Sequence, residues 1–208
     1  MRYEKGRKDA SRRRIMEVAT DRFRNDGIAA SGLAAIMSDA GLTNGAFYPH
    51  FPSKADLVQA CVVTALDEQW TQLREIIAAG GPAAAIAIYL SPEHRDNPGK
   101  GCALAALLPE LARQPAEAHN LYAERLLALV REMAATLSPE IKDREGVALS
   151  IQAILIGALQ LSRAVSGTPL SDRILTIGTD AVRTLITHSV HMTPAEAGPP
   201  DNHKKDSV

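Results

Sequence analysis

Residues 31–54 read SGLAAIMSDAGLTNGAFYPHFPSK, and this stretch decides the fold of the N-terminal part of the chain. Ser31 can cap a first short helix, which ends at Gly41 because glycine adopts a left-handed turn conformation without steric cost. Thr43 can cap a second short helix at about residues 44–48. Two short helices joined by a glycine-containing turn have the spacing of a helix-turn-helix, whose second helix enters the major groove of DNA. The stretch therefore predicts a DNA-binding unit.

The second of these helices carries residues suited to reading base edges. Gly45 is small and permits close approach, and Asn44 can pair with a base edge. Phe47 can touch a thymine methyl group, although its ring can instead belong to the core of the small domain, which is what we expect of Phe51. Pro49 lacks an N–H and disfavours helical geometry at the residue before it, so this helix can be a single tight turn. The candidate DNA-binding residues are Ser31, Ala34, Thr43, Asn44, Gly45 and Phe47, with Tyr48, His50 and Lys54 as donors to phosphates.

Charge is divided unevenly along the chain. All 208 residues together carry a formal net charge of −1. Residues 1–54 hold ten Lys and Arg against six Asp and Glu, net +4, whereas residues 55–208 hold thirteen against eighteen, net −5. The two parts are therefore expected to face different partners. A basic arm that would add a salt-sensitive attraction to phosphates consists of Arg2, Lys5, Arg7, Lys8, Arg12, Arg13 and Arg14.

The N-terminal part resembles the DNA-binding domain of the TetR/AcrR family of transcriptional repressors. The matching residues are Ile15, Ala19 and Phe23 before Gly27, then Ile36, Ala40, Gly41, Leu42, Thr43, Gly45, Tyr48, His50, Phe51, Lys54 and Leu57. This covers about the first quarter of the chain, and the later helices resemble the family in length and layout more than in residues. The resemblance implies a homodimer that binds a palindromic operator in double-stranded DNA and releases it when a small ligand enters the C-terminal domain. Repression rather than activation rests on this resemblance alone.

The chain as a whole is predicted to be all-α. Aromatic residues make up only 4%, and no stretch alternates β-branched and polar residues. We expect a three-helix helix-turn-helix domain at residues 1–54, a helical effector-binding and dimerisation domain at 55–192, and a disordered tail at 193–208. The roughly nine helices predicted from periodicity and breakers cover about residues 9–25, 33–40, 44–48, 54–78, 83–90, 102–113, 116–137, 142–165 and 171–191, with a loop at 91–100.

The last two predicted helices are candidates for a dimer interface. The helix at 142–165 is apolar over much of its circumference, more than one side of a monomer needs, and the helix at 171–191 has a narrower stripe with small residues such as Gly178. A two-fold interface would match a palindromic operator, although both helices can instead be core. The candidate interface residues are Ile151, Ile154, Leu155, Ala158, Leu161, Ile174, Ile177, Ala181 and Leu185.

An effector pocket is expected among the helices that begin near residues 54, 83, 102, 116 and 142. Few charges are available there, so an apolar or aromatic ligand with one or two polar groups is predicted. Most of the candidate lining residues would serve equally well as core. They are Trp70, Tyr89, Leu104, Leu107, Leu108, Tyr122, Leu126 and Gln152.

Cys102 offers an alternative sensing mechanism. It opens a predicted helix after Lys100, where free N–H groups and a nearby ammonium would lower a thiol pKa. A repressor that senses oxidants or electrophiles through Cys102 is therefore one hypothesis, and an inert core residue is the other. With only two cysteines, Cys61 and Cys102, a disulfide framework is not expected.

Other classes of function find little support in the sequence. It contains no GxSxG, HExxH, P-loop or GxGxxG motif, so we expect no enzyme, no catalytic residues and no cofactor. His188 and His191 are three apart but have no close carboxylate or thiol, and no metal site is expected. The uncharged run 146–162 is interpreted as a buried helix rather than a membrane span. The N-terminus is charged, so it is not interpreted as a secretory signal. Together these features predict a cytoplasmic protein without a membrane partner. Residues 55–208 alone would also fit a helical interaction module.

Overall fold

The computed structural model describes the backbone of residues 2–191 and the side chains of residues 6–190. This part of the chain contains α-helices and 3-10 turns and no strand, so the all-α prediction is confirmed. The predicted tail at 193–208 lies outside the described residues. The α-helices are α1 Arg2–Asp26, α2 Leu33–Asp39, α3 Lys54–Tyr89, α4 Pro92–Asp96, α5 Ala103–Leu111, α6 Ala116–Thr136, α7 Arg144–Ala164 and α8 Pro169–His191, and the 3-10 turns are Asn44–Ala46 and Pro98–Lys100.

The N-terminal helices assemble around the apolar stripe of α1. Ile15, Ala19 and Phe23 are buried, and they share one hydrophobic cluster with Ile36 of α2 and Leu57 of α3. Since the apolar residues of α1 recur every three to four positions, they lie on one face of the helix and bury together. The helix begins at Arg2, well before the predicted start at residue 9, so the basic arm continues the helix.

The turn of the helix-turn-helix forms where glycine was expected to allow it. Gly41 has φ 71° and follows Ala40, the C-cap of α2. The predicted cap by Ser31 is wrong, because α2 is capped at Gly32 without a side-chain hydrogen bond. The hydroxyl of Ser31 donates instead to the carbonyl of Gly27 at 2.7 Å and is part of the core.

The second helix of the motif is reduced to a turn, as Pro49 suggested. The 3-10 turn covers Asn44–Ala46, and the Phe47 N–H donates to the Asn44 carbonyl at 3.2 Å. Thr43 occupies the cap position but its side chain makes no capping hydrogen bond. We call residues 44–48 the recognition turn.

The long helix α3 begins and bends where the sequence indicates. The Ser53 hydroxyl accepts a hydrogen bond from the Asp56 N–H at 3.2 Å and so caps the first turn. Gly81 has φ 74° and ψ 178°, a conformation that side chains rarely adopt, and Pro82 follows it. The helices predicted at 54–78 and 83–90 are therefore the two arms of one kinked element.

The segment predicted as a loop at 91–100 contains a short helix. The Ser91 hydroxyl accepts from the His94 N–H at 3.1 Å, and Pro92 stands at the first helical position, where its missing N–H costs nothing. The loop prediction is wrong over Pro92–Asp96 because this start signal outweighs the polar composition of the segment.

Helices α7 and α8 pack closely against each other at the C-terminal end of the described chain. A Cβ atom on Gly178 of α8 would come within 2.7 Å of the Ala158 Cβ on α7, so glycine permits this approach. Helix α7 is the one described helix long and apolar enough to cross a membrane, yet Ile151, Leu155 and Leu159 on it are buried in the protein core. The interpretation of 146–162 as a buried helix agrees with this packing.

Candidate DNA-binding surface and effector region

The recognition turn presents several exposed residues on one edge. Thr43, Asn44 and Gly45 are exposed, and Tyr48 keeps 67% of its surface accessible. A Cβ atom on Gly45 would meet no atom within 4 Å, so the turn is open for close approach at that point. Ala34 on α2 is exposed as well. These five predicted residues are available to a DNA surface.

Two of the predicted DNA-binding side chains are buried. Ser31 and Phe47 have no accessible surface, because Ser31 bonds to the Gly27 carbonyl and Phe47 fills the core of the helix-turn-helix. The Phe47 ring stacks on Phe51 at a centroid distance of 5.7 Å and meets the Tyr48 ring edge-on at 5.4 Å. Phe47 and Ser31 are therefore supporting residues, and Phe51 is core as expected.

The remaining predicted contacts, His50 and Lys54, are half-buried. Burial lowers the pKa of the His50 imidazole, and the positive charges of Lys8 and Arg12 lower it further, which favours the neutral ring. The Lys54 ammonium donates to the Ile28 carbonyl at 2.6 Å. Lys54 thus fastens the start of α3 to the segment between α1 and α2.

The basic arm lies along the exposed side of α1. Arg7, Lys8, Arg12 and Arg13 are exposed, whereas the side chains of Arg2 and Lys5 lie outside the described residues. The Arg12 guanidinium stands over the Phe51 ring at 4.9 Å from its centroid. Arg12 therefore joins the arm to the core beneath the recognition turn, a contact that the sequence did not reveal.

Two hydrogen bonds join the helix-turn-helix to α5 and to the residue before its cap. The Arg24 Nη1 on α1 donates to the Gly101 carbonyl at 3.0 Å, and the Ala29 N–H donates to the Glu110 carboxylate at 2.9 Å. The Glu110 carboxylate also lies where a side chain on Gly27 would stand. Sequence reasoning missed Arg24 and Glu110, because nothing in their local pattern distinguishes them from other charged helix residues.

The predicted effector-pocket residues are spread over α3, α5, α6 and α7. Leu104, Leu107, Tyr122 and Gln152 are buried. Leu108 is 47% exposed, and its place in an effector pocket stays a prediction.

The other predicted pocket residues fall into two groups. The Trp70 Nε1 donates to Glu132 at 2.9 Å and the Gln152 amide to the Met133 sulfur at 3.0 Å, so these two side chains both contact α6, on which half-buried Leu126 also lies. Tyr89 instead packs edge-on against His94 at 4.7 Å.

Several buried polar atoms in this region have no hydrogen-bond partner. They include the hydroxyls of Tyr89 and Tyr122, and Nη1 of Arg163. Burial raises the pKa of both tyrosines and lowers that of the Arg163 guanidinium. Buried polar groups left unpaired favour a polar ligand group at such a place.

Cys102 lies at the N-terminal cap of α5. Its sulfur accepts a hydrogen bond from the Ala105 N–H at 3.4 Å, and the residue is 4% exposed. The Cys102 N–H donates to Nε2 of His94 at 3.0 Å, and Nδ1 of His94 lies 2.7 Å from the Tyr89 carbonyl. His94 is therefore neutral with its proton on Nδ1, and burial lowers its pKa. Both cysteines are free thiols in this structure.

The predicted dimer residues divide into core and surface. Ile151, Leu155 and Ala158 are buried within the chain, so their assignment to an interface is wrong. Leu161 is 61% exposed and Ile177 55% exposed. Ile154, Ile174, Ala181 and Leu185 are partly buried beside them.

No group of three or more metal-ligating side chains occurs among the described residues. Nδ1 of His188 lies 2.9 Å from the carbonyl of Thr184 in its own helix, and the side chain of His191 lies outside the described residues.

Residues 15–61 match the family model for bacterial regulatory proteins of the tetR family. Over these residues the chain is similar to that family.

Curated relatives match part of the chain. The transcriptional repressor KstR2 of Rhodococcus jostii is 32% identical over 73 residues, which cover 35% of this chain and 36% of KstR2. The transcriptional regulator TtgR of Pseudomonas putida is 48% identical over 50 residues, 24% of each chain. The matches thus span about a third and about a quarter of the length of these relatives.

Solved structures extend the likeness in fold to most of the chain. A tetR-family transcriptional regulator of Cytophaga hutchinsonii has a TM-score of 0.72 at 20% identity and covers 88% of this chain and 96% of its own. A second one, of Chloroflexus aurantiacus, has a TM-score of 0.73 at 21% identity and covers 90% and 97%. The C-terminal helices therefore have the fold of these proteins.

Proposed function

We propose that the chain is a ligand-responsive transcriptional repressor that binds a palindromic operator as a homodimer. The observation that carries this proposal is the exposed edge of the recognition turn, with Asn44, Gly45 and Tyr48, on a part of the chain whose net charge is +4. The domain division at residue 54, the cytoplasmic location and the absence of catalysis belong to the same proposal.

Some contacts with DNA recognise the base sequence, and others position the protein on the DNA backbone. Asn44 carries an amide that can pair with adenine through two hydrogen bonds, and the bare backbone at Gly45 lets the turn approach the base edges. Tyr48, Thr43 and the arginines of the arm donate to phosphates, which orient the protein without reading sequence. A few side chains therefore determine which DNA sequence is bound, and many contribute to the overall affinity for DNA.

Dimerisation is supported by apolar surface on the last two helices. Leu161 on α7 and Ile177 on α8 are more than half exposed, and Ile154 and Ile174 lie beside them one or two turns away. A palindromic operator requires the two recognition turns to lie about 34–36 Å apart, one turn of DNA, and a two-fold axis through this surface would relate them.

Release by an effector would involve the hydrogen bonds from Arg24 to Gly101 and from Ala29 to Glu110. A ligand that binds better to a conformation in which α3 has swung and these bonds have changed would misplace the recognition turns. The loss in DNA affinity cannot exceed the difference in ligand affinity between the two conformations, typically about 1–3 kcal/mol. The fold-level analogy with the family supports repression.

Selection of bound sequences from a random DNA pool tests the proposal. We expect a palindrome with half-sites about ten base pairs apart, centre to centre. Failure of the unliganded protein to enrich any sequence at low salt would exclude this function.

Oxidant sensing by Cys102 is a second candidate. Its sulfur stands at a helix N-terminus, and the Arg24 guanidinium donates to the carbonyl of the preceding residue, Gly101. This candidate predicts that peroxide releases the selected DNA from the wild type and not from a Cys102→Ser variant. Equal behaviour of the two proteins would exclude it.

A further inference from the structure

The peptide group between Gly101 and Cys102 is held from two sides. Its carbonyl, that of Gly101, accepts a hydrogen bond from Nη1 of Arg24 on α1 at 3.0 Å. Its N–H, that of Cys102, donates to Nε2 of His94 on α4 at 3.0 Å. Because the carbonyl and the N–H belong to one planar unit, a displacement of either moves the other. His94 therefore acts on the same peptide group that binds α1 of the helix-turn-helix.

The His94 ring is itself fixed by the C-terminal part of the chain. Its Nδ1 lies 2.7 Å from the Tyr89 carbonyl at the end of α3, so Nδ1 is the donor and Nε2 the acceptor. The guanidinium of Arg163 on α7 donates to the carbonyls of His94 and Arg95 at 2.9 and 3.0 Å. A Cβ atom on Gly101 would come within 2.6 Å of Nε2, so the ring packs directly on the backbone there.

The charges around this cluster disfavour a proton on Nε2. Burial lowers the pKa of His94, the hydrogen bond to the Tyr89 carbonyl raises it, and the positive charge of Arg163 lowers it. No carboxylate of a described side chain forms an ion pair with the ring, and those on this side of the molecule are paired with Arg95. The titratable and charged side chains of the cluster, besides His94, are Arg24 on α1, Tyr89 on α3, Arg95 and Asp96 on α4, Cys102 at the cap of α5, Arg163 on α7 and Asp172 on α8.

We propose that His94 is a proton-controlled switch that sets the hold of the C-terminal part on α1. In the neutral state the ring accepts from the Cys102 N–H, and the peptide presents its carbonyl to Arg24. A proton taken up from solvent at Nε2 points at the Cys102 N–H, so two donors meet and a further cation joins Arg163. The peptide group then turns away, and Arg24 loses its acceptor. We call these two arrangements the held and the released state.

Acid is the direction that favours release. The released state leaves the ring free to take up a proton in the ordinary histidine range of about 6.5, whereas the held state lowers the pKa of His94. The held state is therefore favoured above that range and loses its advantage as the pH falls through the lower pKa. One pH unit below the range, the ratio of released to held molecules has risen by about tenfold at most. The effect on operator binding rests on the proposed function, whereas the release of the peptide does not.

Amide hydrogen exchange of the full chain at about pH 7.5 and pH 5.5 tests the release. After correction for the intrinsic effect of pH, exchange of residues 101–106 should rise by about threefold to tenfold at the lower pH, and that of residues 20–26 on α1 should rise with it. Residues 121–130 of α6 are the internal reference and should not change. His94→Gln keeps a neutral acceptor and should show no rise, whereas His119→Gln, which changes an exposed imidazole, should behave as the wild type does.

Operator affinity over the same pH range tests the consequence for DNA binding. The affinity of the wild type for the selected operator should fall by up to about tenfold relative to that of His94→Gln. The comparison removes the contribution of His50 at the recognition turn, because that imidazole titrates in both proteins. Circular dichroism of the same samples monitors the helices at each pH.

Three results would overturn the switch. They are equal exchange of residues 101–106 in the wild type and His94→Gln, an operator affinity that falls equally in both proteins, and loss of the helical signal together with the affinity, which would indicate unfolding. If His94→Gln does not fold, the contrast between residues 101–106 and 121–130 within the wild type decides. Release at acid pH in a protein that binds no DNA at either pH would support the switch and contradict the proposed function.

Discussion

At the scale of single residues, Asn44 and Tyr48 carry the hydrogen-bonding groups on the exposed edge of the recognition turn. An Asn44→Ala variant should lose about 1–3 kcal/mol of binding free energy to the selected operator and relax preference at one position in each half-site. Tyr48→Phe should weaken binding to all sequences alike, because a phosphate contact carries no sequence information. Anisotropy titrations with the operator and single-base variants measure both effects.

An exposed asparagine far from the recognition turn provides the matched control. Asn120→Ala on α6 should bind the operator as the wild type does. An Asn44→Ala protein with the affinity and base preference of the wild type would show that Asn44 does not read DNA.

His94 should make folding stability depend on pH. Burial lowers its pKa in the folded protein, so the unfolded chain binds more protons as the pH falls below the ordinary histidine range of about 6.5. The stability that the neutral ring contributes is fully present above that pH and is lost on acidification through the lower, folded pKa. Protonation of Nε2 would also remove the acceptor of the Cys102 N–H.

Urea unfolding at about pH 7 and pH 5 measures this dependence. His94→Gln should reduce the difference in unfolding free energy between the two pH values, although His50, whose pKa is also lowered, continues to contribute. His119→Gln changes an exposed imidazole on α6 and should leave the difference as it is in the wild type. The same dependence in all three proteins would contradict the role given to His94.

At the scale of helices, Gly178 sets the separation of α7 and α8. A methyl group there would come within 2.7 Å of Ala158 and 3.1 Å of Leu90. Gly178→Ala should therefore destabilise the protein by about 1–3 kcal/mol, because overpacking outweighs the gain in helix propensity.

Thermal or urea unfolding of a second glycine variant gives the comparison. Gly6→Ala on α1 meets no atom within 4 Å and should be neutral or stabilising by up to about 1 kcal/mol. If Gly178→Ala were as stable as Gly6→Ala, the close packing of α7 on α8 would be wrong.

Local signals predicted much of the helix pattern. Helix ends and kinks were predicted at Gly41, Ser53 and the pair Gly81 and Pro82. These residues act through their own backbone conformation or on the next turn of the chain, so the helix ends and kinks that they cause can be predicted from the local sequence. Ser31 did not follow its local signal, because its hydroxyl found the Gly27 carbonyl on the preceding turn.

The contacts that join the two parts of the chain could not be predicted in this way. Arg24 and Gly101 are 77 residues apart, and Ala29 and Glu110 are 81 apart. Such pairs depend on how whole helices pack, which no local pattern encodes. For the same reason, Leu155 and Leu161 both suggested an interface, and only the packed structure shows that Leu155 is core.

At the scale of the whole molecule, exposed Leu161 and Ile177 should hold two chains together. Leu161→Glu should shift the protein from dimer to monomer at micromolar concentration, because a carboxylate is costly to bury at an apolar contact. Sedimentation velocity measures the shift, and operator affinity should fall with it. Leu127→Glu alters a leucine on α6 that is 43% exposed and should remain dimeric. A wild-type protein that sediments as a monomer would contradict the dimer.

The uneven division of charge gives the whole chain an orientation. The part with net charge +4 should be attracted to the DNA phosphates, and the part with net charge −5 should be repelled by them. The overall charge of −1 is the sum of these two opposite charges.

The central claim, specific binding of a palindrome by two chains, is tested most directly by titrating the selected operator, one half-site and a scrambled duplex. The account predicts two chains per intact operator and an affinity at least about a thousandfold above that for the scrambled duplex, with the half-site far weaker than the whole. Equal affinity for the operator and the scrambled duplex, or for the operator and one half-site, would contradict it.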